Sequence, residues 1–175
     1  HNFEGWVARK HVIFYHPNPL STVNDKISSM HFRSLLEAGI LNYMKEIYGL
    51  KRLNFNDKLS IIVEDLENGK IVASIHPDKR LKSASTIKVP ILHAYMIQRS
   101  EGKLIENSNH KELIEKMIRF SSNSSTNVVI ELLGGPEKIQ QILEQTKIYK
   151  QIRLIEHIPE NGRAYRNTIS VADLN

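Results

Sequence analysis

The sequence predicts a mixed α/β fold: an antiparallel sheet joined to a helical subdomain, with C-terminal strands missing from this chain. Three observations lead there. A helical apolar period gives way to a two-residue alternation between Leu59 and Ile75. A block of helical segments then fills the chain from Ile87 to Thr146. The alternating stretch is enough for one hairpin, and a lone two-stranded hairpin is marginal in water, so further strands are expected from outside these 175 residues.

Gly5 to Phe14 reads as a strand, and His16-Pro17-Asn18-Pro19 breaks it. Residues 1–20 are therefore expected to be an arm, or the tail of a preceding domain; Gly5-Trp6-Val7 resembles the end of a bacterial SH3-like module. Residues 21–175 form the main, incomplete domain. Phe32, Leu35, Leu36, Ile40, Met44 and Ile47 recur at helical spacing, which predicts a helix from Met30 to Tyr48 stopped by Gly49. Leu59, Ile61 and Val63 face Ile71, Ala73 and Ile75 across a Glu67-Asn68-Gly69 turn, because Asn-Gly tolerates positive φ.

Ile87 to Ile97 is interrupted only by Lys88 and His93, which predicts a helix buried on all sides and bent at Pro90. Helices are expected over Lys111–Phe120, Ser124–Leu133 and from Pro136 to about Thr146, with Gly134-Gly135 as the break. Tyr149 to Asn167 has no period and reads as a polar loop. Ser170 looks like an N-cap for a helix of which one turn remains, a length at which no helix is stable, so the element is expected to continue beyond this chain.

Composition narrows the chemistry. With 41% hydrophobic and 25% charged residues the chain is ordinary globular protein. The absence of cysteine removes disulfides, thiolate zinc sites and cysteine nucleophiles. Of the 8 histidines no two have the i, i+4 spacing of a helical zinc site, so no metal and no cofactor is expected. The net charge of +5 is spread in short runs such as Lys79-Arg80-Leu81-Lys82 without interleaved aromatics, so nucleic acid is not the expected partner. No apolar run reaches the roughly 18 residues of a membrane span.

Ser85-Thr86-Ile87-Lys88 is a Ser-x-x-Lys at a helix start, where residues i and i+3 share a face. The lysine amine could reach the serine hydroxyl, and burial would lower its pKa so that it could act as a base. The same four residues also read as an N-cap beside a chance lysine. A second copy, Ser100-Glu101-Gly102-Lys103, reads as a solvated turn. Between two predicted helices lies Phe120-Ser121-Ser122-Asn123, where a hydroxyl could relay a proton and an amide could hold both a lysine and a substrate amide. The plainer reading is a turn rich in helix caps.

Ser83 to Pro90 resembles the nucleophile segment of class A β-lactamases and related penicillin-binding proteins, and Ser121-Ser122-Asn123 resembles their Ser-Asp-Asn motif, with Ser in place of Asp. Arg166 to Ser170 resembles the exit of the family's omega loop. The resemblance runs from about Met30 to Asn175 and implies a β-lactamase/transpeptidase-like fold. It implies that Ser85 is acylated, Lys88 is its base, Ser121 protonates the leaving nitrogen, Asn123 binds the substrate amide and the Ser85 N–H forms half an oxyanion hole. The implied substrate is a β-lactam, hydrolysed at its amide, or a D-Ala peptide of peptidoglycan. The implied location is periplasmic or extracellular. A D,D-peptidase with poor deacylation and a non-catalytic module binding cell-wall peptide are the alternatives.

Three departures qualify that resemblance. The Lys-Thr-Gly motif is absent from these residues and is expected in a C-terminal segment, another chain or another copy. The stretch from Ser85 to Ser121 is short, which would open the cleft. The deacylating glutamate lacks its usual Glu-x-x-Leu-Asn context: Glu160 is the nearest candidate and Glu156 the other, while alignment from Arg153-Leu154 places Ile158 there. Asn127 matches the position that steadies that glutamate.

Overall fold

In the computed structural model, residues 34–49, 59–159 and 166–175 are described. The strand expected in residues 1–20, the start of the first helix and Glu160 lie outside them. The described residues all belong to the unit Arg33–Asn175. Their elements run α1 (Leu35–Gly49), β1 (Ile61–Asp65), β2 (Lys70–Ile75), β3 (Leu81–Lys82), a short 3-10 turn (Ala84–Ile87), α2 (Lys88–Ser100), α3 (Ser108–Arg119), α4 (Asn123–Leu132), α5 (Pro136–Gln145) and β4 (Thr168–Ile169).

The hairpin forms as expected, with Ile61 opposite Ile75 and Val63 opposite Ala73, and a register shift between Val63 and Glu64. Its turn differs in mechanism. Only Gly69 takes a positive φ, at 67°. Asp65 organises the turn: its carboxylate accepts from the Glu67 N–H at 3.0 Å and from the Asn68 amide at 2.6 Å. Asn68 therefore serves through its side chain rather than through left-handed backbone.

The first helix packs on β2 through a different face from the predicted one. Leu35 is 86% exposed, whereas Glu37 and Ala38 are buried. The cause is the open edge of β2. The Glu37 carboxylate accepts from the Ser74 N–H at 2.9 Å, and the Ser34 hydroxyl donates to the Val72 carbonyl. These are outward backbone groups that the hairpin alone leaves unpaired, so satisfying them sets the helix face.

The main core lies in the helical block. Ile87, Ile91 and Tyr95 of the 3-10 turn and α2 meet Met117 of α3, Val129 and Ile130 of α4, Ile139 and Leu143 of α5, and Leu154, Ile158 and Ile169 of the loop and β4. Burial of α2 is one-sided, because Val89 and Met96 are exposed. Pro90 falls in its first turn, where a missing N–H costs little. Between α4 and α5 the Gly135 N–H bonds to the Ile130 carbonyl and the Gly134 N–H to that of Glu131, a Schellman closure that needs the positive φ of Gly134. After Ser170 the chain makes a turn rather than a helix, although the Ser170 hydroxyl does accept from the Asp173 N–H at 3.1 Å.

The loop before β4 is tied to the segment before Ser85 by Asn167, which is fully buried. Its side-chain oxygen accepts from the Ile155 and Glu156 N–H groups at 2.9 and 3.1 Å, and its amide donates to the Glu156 carbonyl at 2.9 Å. Its own carbonyl accepts from the Ser83 N–H at 3.0 Å, two residues before Ser85. Replacing Asn167 with Ala removes the partner of three backbone groups at Ile155 and Glu156. The expected loss is about 2–4 kcal/mol in a denaturant titration.

Candidate active site

The segment from Ser83 to Lys88 is held from both ends. Ser83 is anchored to Asn167, and its carbonyl takes the Thr86 N–H at 3.0 Å, starting the 3-10 turn. Ala84 has a φ of 44°, a strained value for a non-glycine residue directly before Ser85. In a 3-10 turn residues i and i+3 eclipse, so Lys88 falls on the face of exposed Ser85. Among the described residues nothing accepts from the Ser85 N–H, which leaves it free for an oxyanion.

Lys88 is 3% exposed. Its ammonium has three acceptors: the Ser121 carbonyl at 2.5 Å, the Ser121 Oγ at 2.9 Å and the Asn123 Oδ1 at 2.9 Å. These match the three donors of an ammonium. Burial nevertheless pushes its pKa below the ordinary 10.5. The expected direct contact between Lys88 and Ser85 is absent. Ser121 stands between them, its Oγ 3.0 Å from the Ser85 Oγ, so the connection passes through a second hydroxyl.

Ser121 can do this because it occupies the left-handed position after α3, with a φ of 52°. That conformation turns its carbonyl and hydroxyl together onto Lys88. Ser122 then caps α4: its Oγ accepts from the Ser125 N–H at 3.2 Å. The Ser-for-Asp departure keeps the cap, since both residue types accept from an N-terminal N–H. Asn123 is the first residue of α4, and Asn127 follows one turn later on the same face.

Asn127 grips the loop by both atoms of its amide. Its Oδ1 accepts from the Ile158 N–H at 2.8 Å and its Nδ2 donates to the Ile158 carbonyl at 2.9 Å. One further turn along α4, Glu131 pairs with His157. Glu156 is engaged elsewhere, paired with Arg166 at 2.6 Å. Burial raises its pKa, but the hydrogen bonds and charge of Arg166 outweigh that and hold the carboxyl below its usual range. The sequence gives Asn167 no site-forming role, because a buried Asn in a polar loop has no periodic signature.

The second Ser-x-x-Lys is a solvated turn, as expected. The Ser100 hydroxyl bonds to the Ile97 carbonyl, Gly102 has a φ of 70° and Lys103 pairs with Glu101. No group of three or more His, Asp or Glu that could hold a metal occurs among the described residues, and no described helix is long and apolar enough to cross a membrane. Ser122→Ala should cost about 1 kcal/mol of stability in thermal or denaturant unfolding, and Ser122→Asp should leave it within about 0.5 kcal/mol.

The chain is 26% identical over 124 residues to a beta-lactamase of Bacillus licheniformis, covering 58% of this chain and 40% of the relative. It is 29% identical over 113 residues to Beta-lactamase ROB-1 of Haemophilus influenzae, covering 52% and 37%. The chain thus spans about two fifths of the length of the curated relatives it matches. Among solved structures, an ancestral class A beta-lactamase superposes with a TM-score of 0.62 at 21% identity, covering 79% of this chain and 60% of that one. A mutant of the class A enzyme of the last common ancestor of Gram-negative bacteria gives 0.59 at 23% identity, covering 74% and 59%. These similarities identify the incomplete α/β architecture as that of class A beta-lactamases. A sequence model described as the beta-lactamase enzyme family matches residues 42–109 and 106–175, so this chain, with its Ser85–Ser121–Lys88 network, belongs to that family.

Proposed function

We propose that this chain carries the nucleophile half of a serine acyl-enzyme site. The observation that supports it is the continuous hydrogen-bond path from Ser85 Oγ through Ser121 Oγ to the buried Lys88 Nζ. In its neutral form the Lys88 amine keeps two N–H bonds, to the Ser121 carbonyl and Asn123 Oδ1, and turns its lone pair to the Ser121 hydroxyl. Hydroxyl protons rotate freely, so Ser121 accepts from Ser85 while donating to Lys88.

Ser85 Oγ then attacks an amide carbonyl carbon, and its proton passes through Ser121 to Lys88. The oxyanion forms against the Ser85 N–H. The carbon–nitrogen bond breaks as Ser121 delivers a proton to the leaving nitrogen and recovers one from Lys88. The product is an ester on Ser85. A strained β-lactam amide, and the D-Ala amide of a peptidoglycan peptide that it resembles, both suit this chemistry. Asn123, at the mouth of the network, is placed to hold the acyl side-chain amide. Such substrates place the protein in the periplasm or outside the cell.

The test is the intact mass of the full-length protein after incubation with a fluorescent penicillin. An adduct of one penicillin that disappears in Ser85→Ala is expected; no adduct at any time overturns the β-lactam reading and leaves a peptide-specific enzyme or a non-catalytic peptide-binding module. The acylation rate should rise with pH, because only the neutral Lys88 accepts a proton. It should level off above the Lys88 pKa, at a pH below 10.5. Lys88→Ala should lower the rate by about 10²–10⁴-fold and remove that limb.

A further inference from the structure

We infer that the face built on β3 and β4 is a docking surface for an anionic phospholipid membrane. The inference is independent of the acyl-enzyme reading. Short cationic runs that lie far apart in the sequence converge on this face once the chain folds.

Thr168 of β4 pairs on one side with Lys82 of β3 and on the other with Arg153 of the preceding loop. The neighbouring Ile152 and Ile169 are buried, so Lys82 and Arg153 project to the opposite, outer side, where both are exposed. With strands spaced about 4.8 Å apart, their backbones stand about 10 Å from each other. Two anchors gather further cations around this pair. The Ala172 N–H donates to the Pro77 carbonyl at 3.0 Å, which holds the residues before β3 against those after β4. The Asp173 carboxylate accepts from the Lys150 and Gln151 N–H groups at 2.7 and 2.8 Å.

The three segments 77–82, 147–154 and 167–173 carry six exposed cations: Lys79, Arg80, Lys82, Lys147, Lys150 and Arg153. Their acids are Asp78 and Asp173, and Asp173 is buried with both oxygens engaged. None of the six cations forms an ion pair among the described residues, whereas Arg99, Lys111, Lys116 and Arg119 each pair with a glutamate. One-signed charge left without counter-charge repels itself and attracts an anionic partner. Two observations favour a lipid surface over a soluble polyanion. The cations project from a ladder, whereas a polymer is tracked in a basic groove; the cavity beside this face is lined by Glu137, Gln140, Leu154 and Ile155, with no cation. Ile148 and Ile155 are also at least half exposed, next to Lys147 and near Arg153. Apolar side chains among cations gain at the boundary of headgroups and acyl chains, and gain nothing from a soluble polyanion.

The test is co-sedimentation of the full-length protein with two kinds of vesicle, pure phosphatidylcholine and an equal mixture of phosphatidylcholine and phosphatidylglycerol. The reading is the ratio of the two partition coefficients, which a purely apolar attachment would leave near one. A ratio above about tenfold is expected at low salt, falling as ionic strength rises. The fourfold variant Arg80→Gln, Lys82→Gln, Lys150→Gln, Arg153→Gln should bring the ratio close to one, since each Lys or Arg near an anionic surface contributes about fivefold. The control Lys103→Gln, Lys111→Gln, Lys116→Gln, Arg119→Gln changes the net charge equally and should keep the preference. Folding of each variant is checked by its melting curve. If the fourfold variant does not fold, the pairs Arg80→Gln, Lys82→Gln and Lys150→Gln, Arg153→Gln decide, each with an expected loss of about fivefold or more. A ratio near one in the unaltered protein overturns the inference, and so does an equal loss in variant and control. Binding to duplex DNA that needs the same four residues, without any preference for the anionic vesicles, overturns it in favour of nucleic acid.

Discussion

The site depends on one buried cation. Lys88 reaches across from α2 to the turn between α3 and α4 and binds Ser121 and Asn123 there. A lysine with so little exposure must have its donors satisfied, or the desolvation cost is not offset. The same three bonds that satisfy it also bring the Ser121 hydroxyl within 3.0 Å of Ser85. Solvation of one group thus joins two segments 33 residues apart into a single hydrogen-bond path.

Around that cation the backbone is arranged by polar side chains at chain reversals. Ala84 and Ser121 both adopt left-handed φ values, and each adjoins a residue of the path or belongs to it. Such conformations persist only where neighbours over-determine them. Ser83 is fixed to Asn167 on one side, and Ser122 caps α4 on the other. The strain is therefore held between a buried loop anchor and a helix N-terminus rather than by Ser85 and Lys88 themselves.

The α4 helix carries a polar stripe that spaces the parts of the site. Asn123, Asn127 and Glu131 follow one another at intervals of four and engage Lys88, Ile158 and His157 in turn. A rigid helix thereby converts sequence spacing into the distance between Lys88 and the loop. The loop is held by its main chain at Ile158. The Ile158 side chain belongs to the apolar core.

Much of this was legible in the sequence because it follows from local rules. The period of the helices, the Asn-Gly hairpin, the glycine break before α5, and the Ser-x-x-Lys and Ser-Ser-Asn motifs all depend on residues a few positions apart. What stayed hidden depends on partners far along the chain. The face of α1 is set by unpaired edge groups at Val72 and Ser74, so Glu37 turns inward where apolar periodicity put Leu35. The route from Ser85 to Lys88 runs through Ser121 because the left-handed turn there aims both its oxygens at the amine. The role of Asn167 arises from donors and acceptors that meet only after folding. Sequence by itself determined which chemical groups and which helices are present; tertiary structure decided which polar atoms share a buried space, since the need to satisfy a buried donor or acceptor is a property of that space.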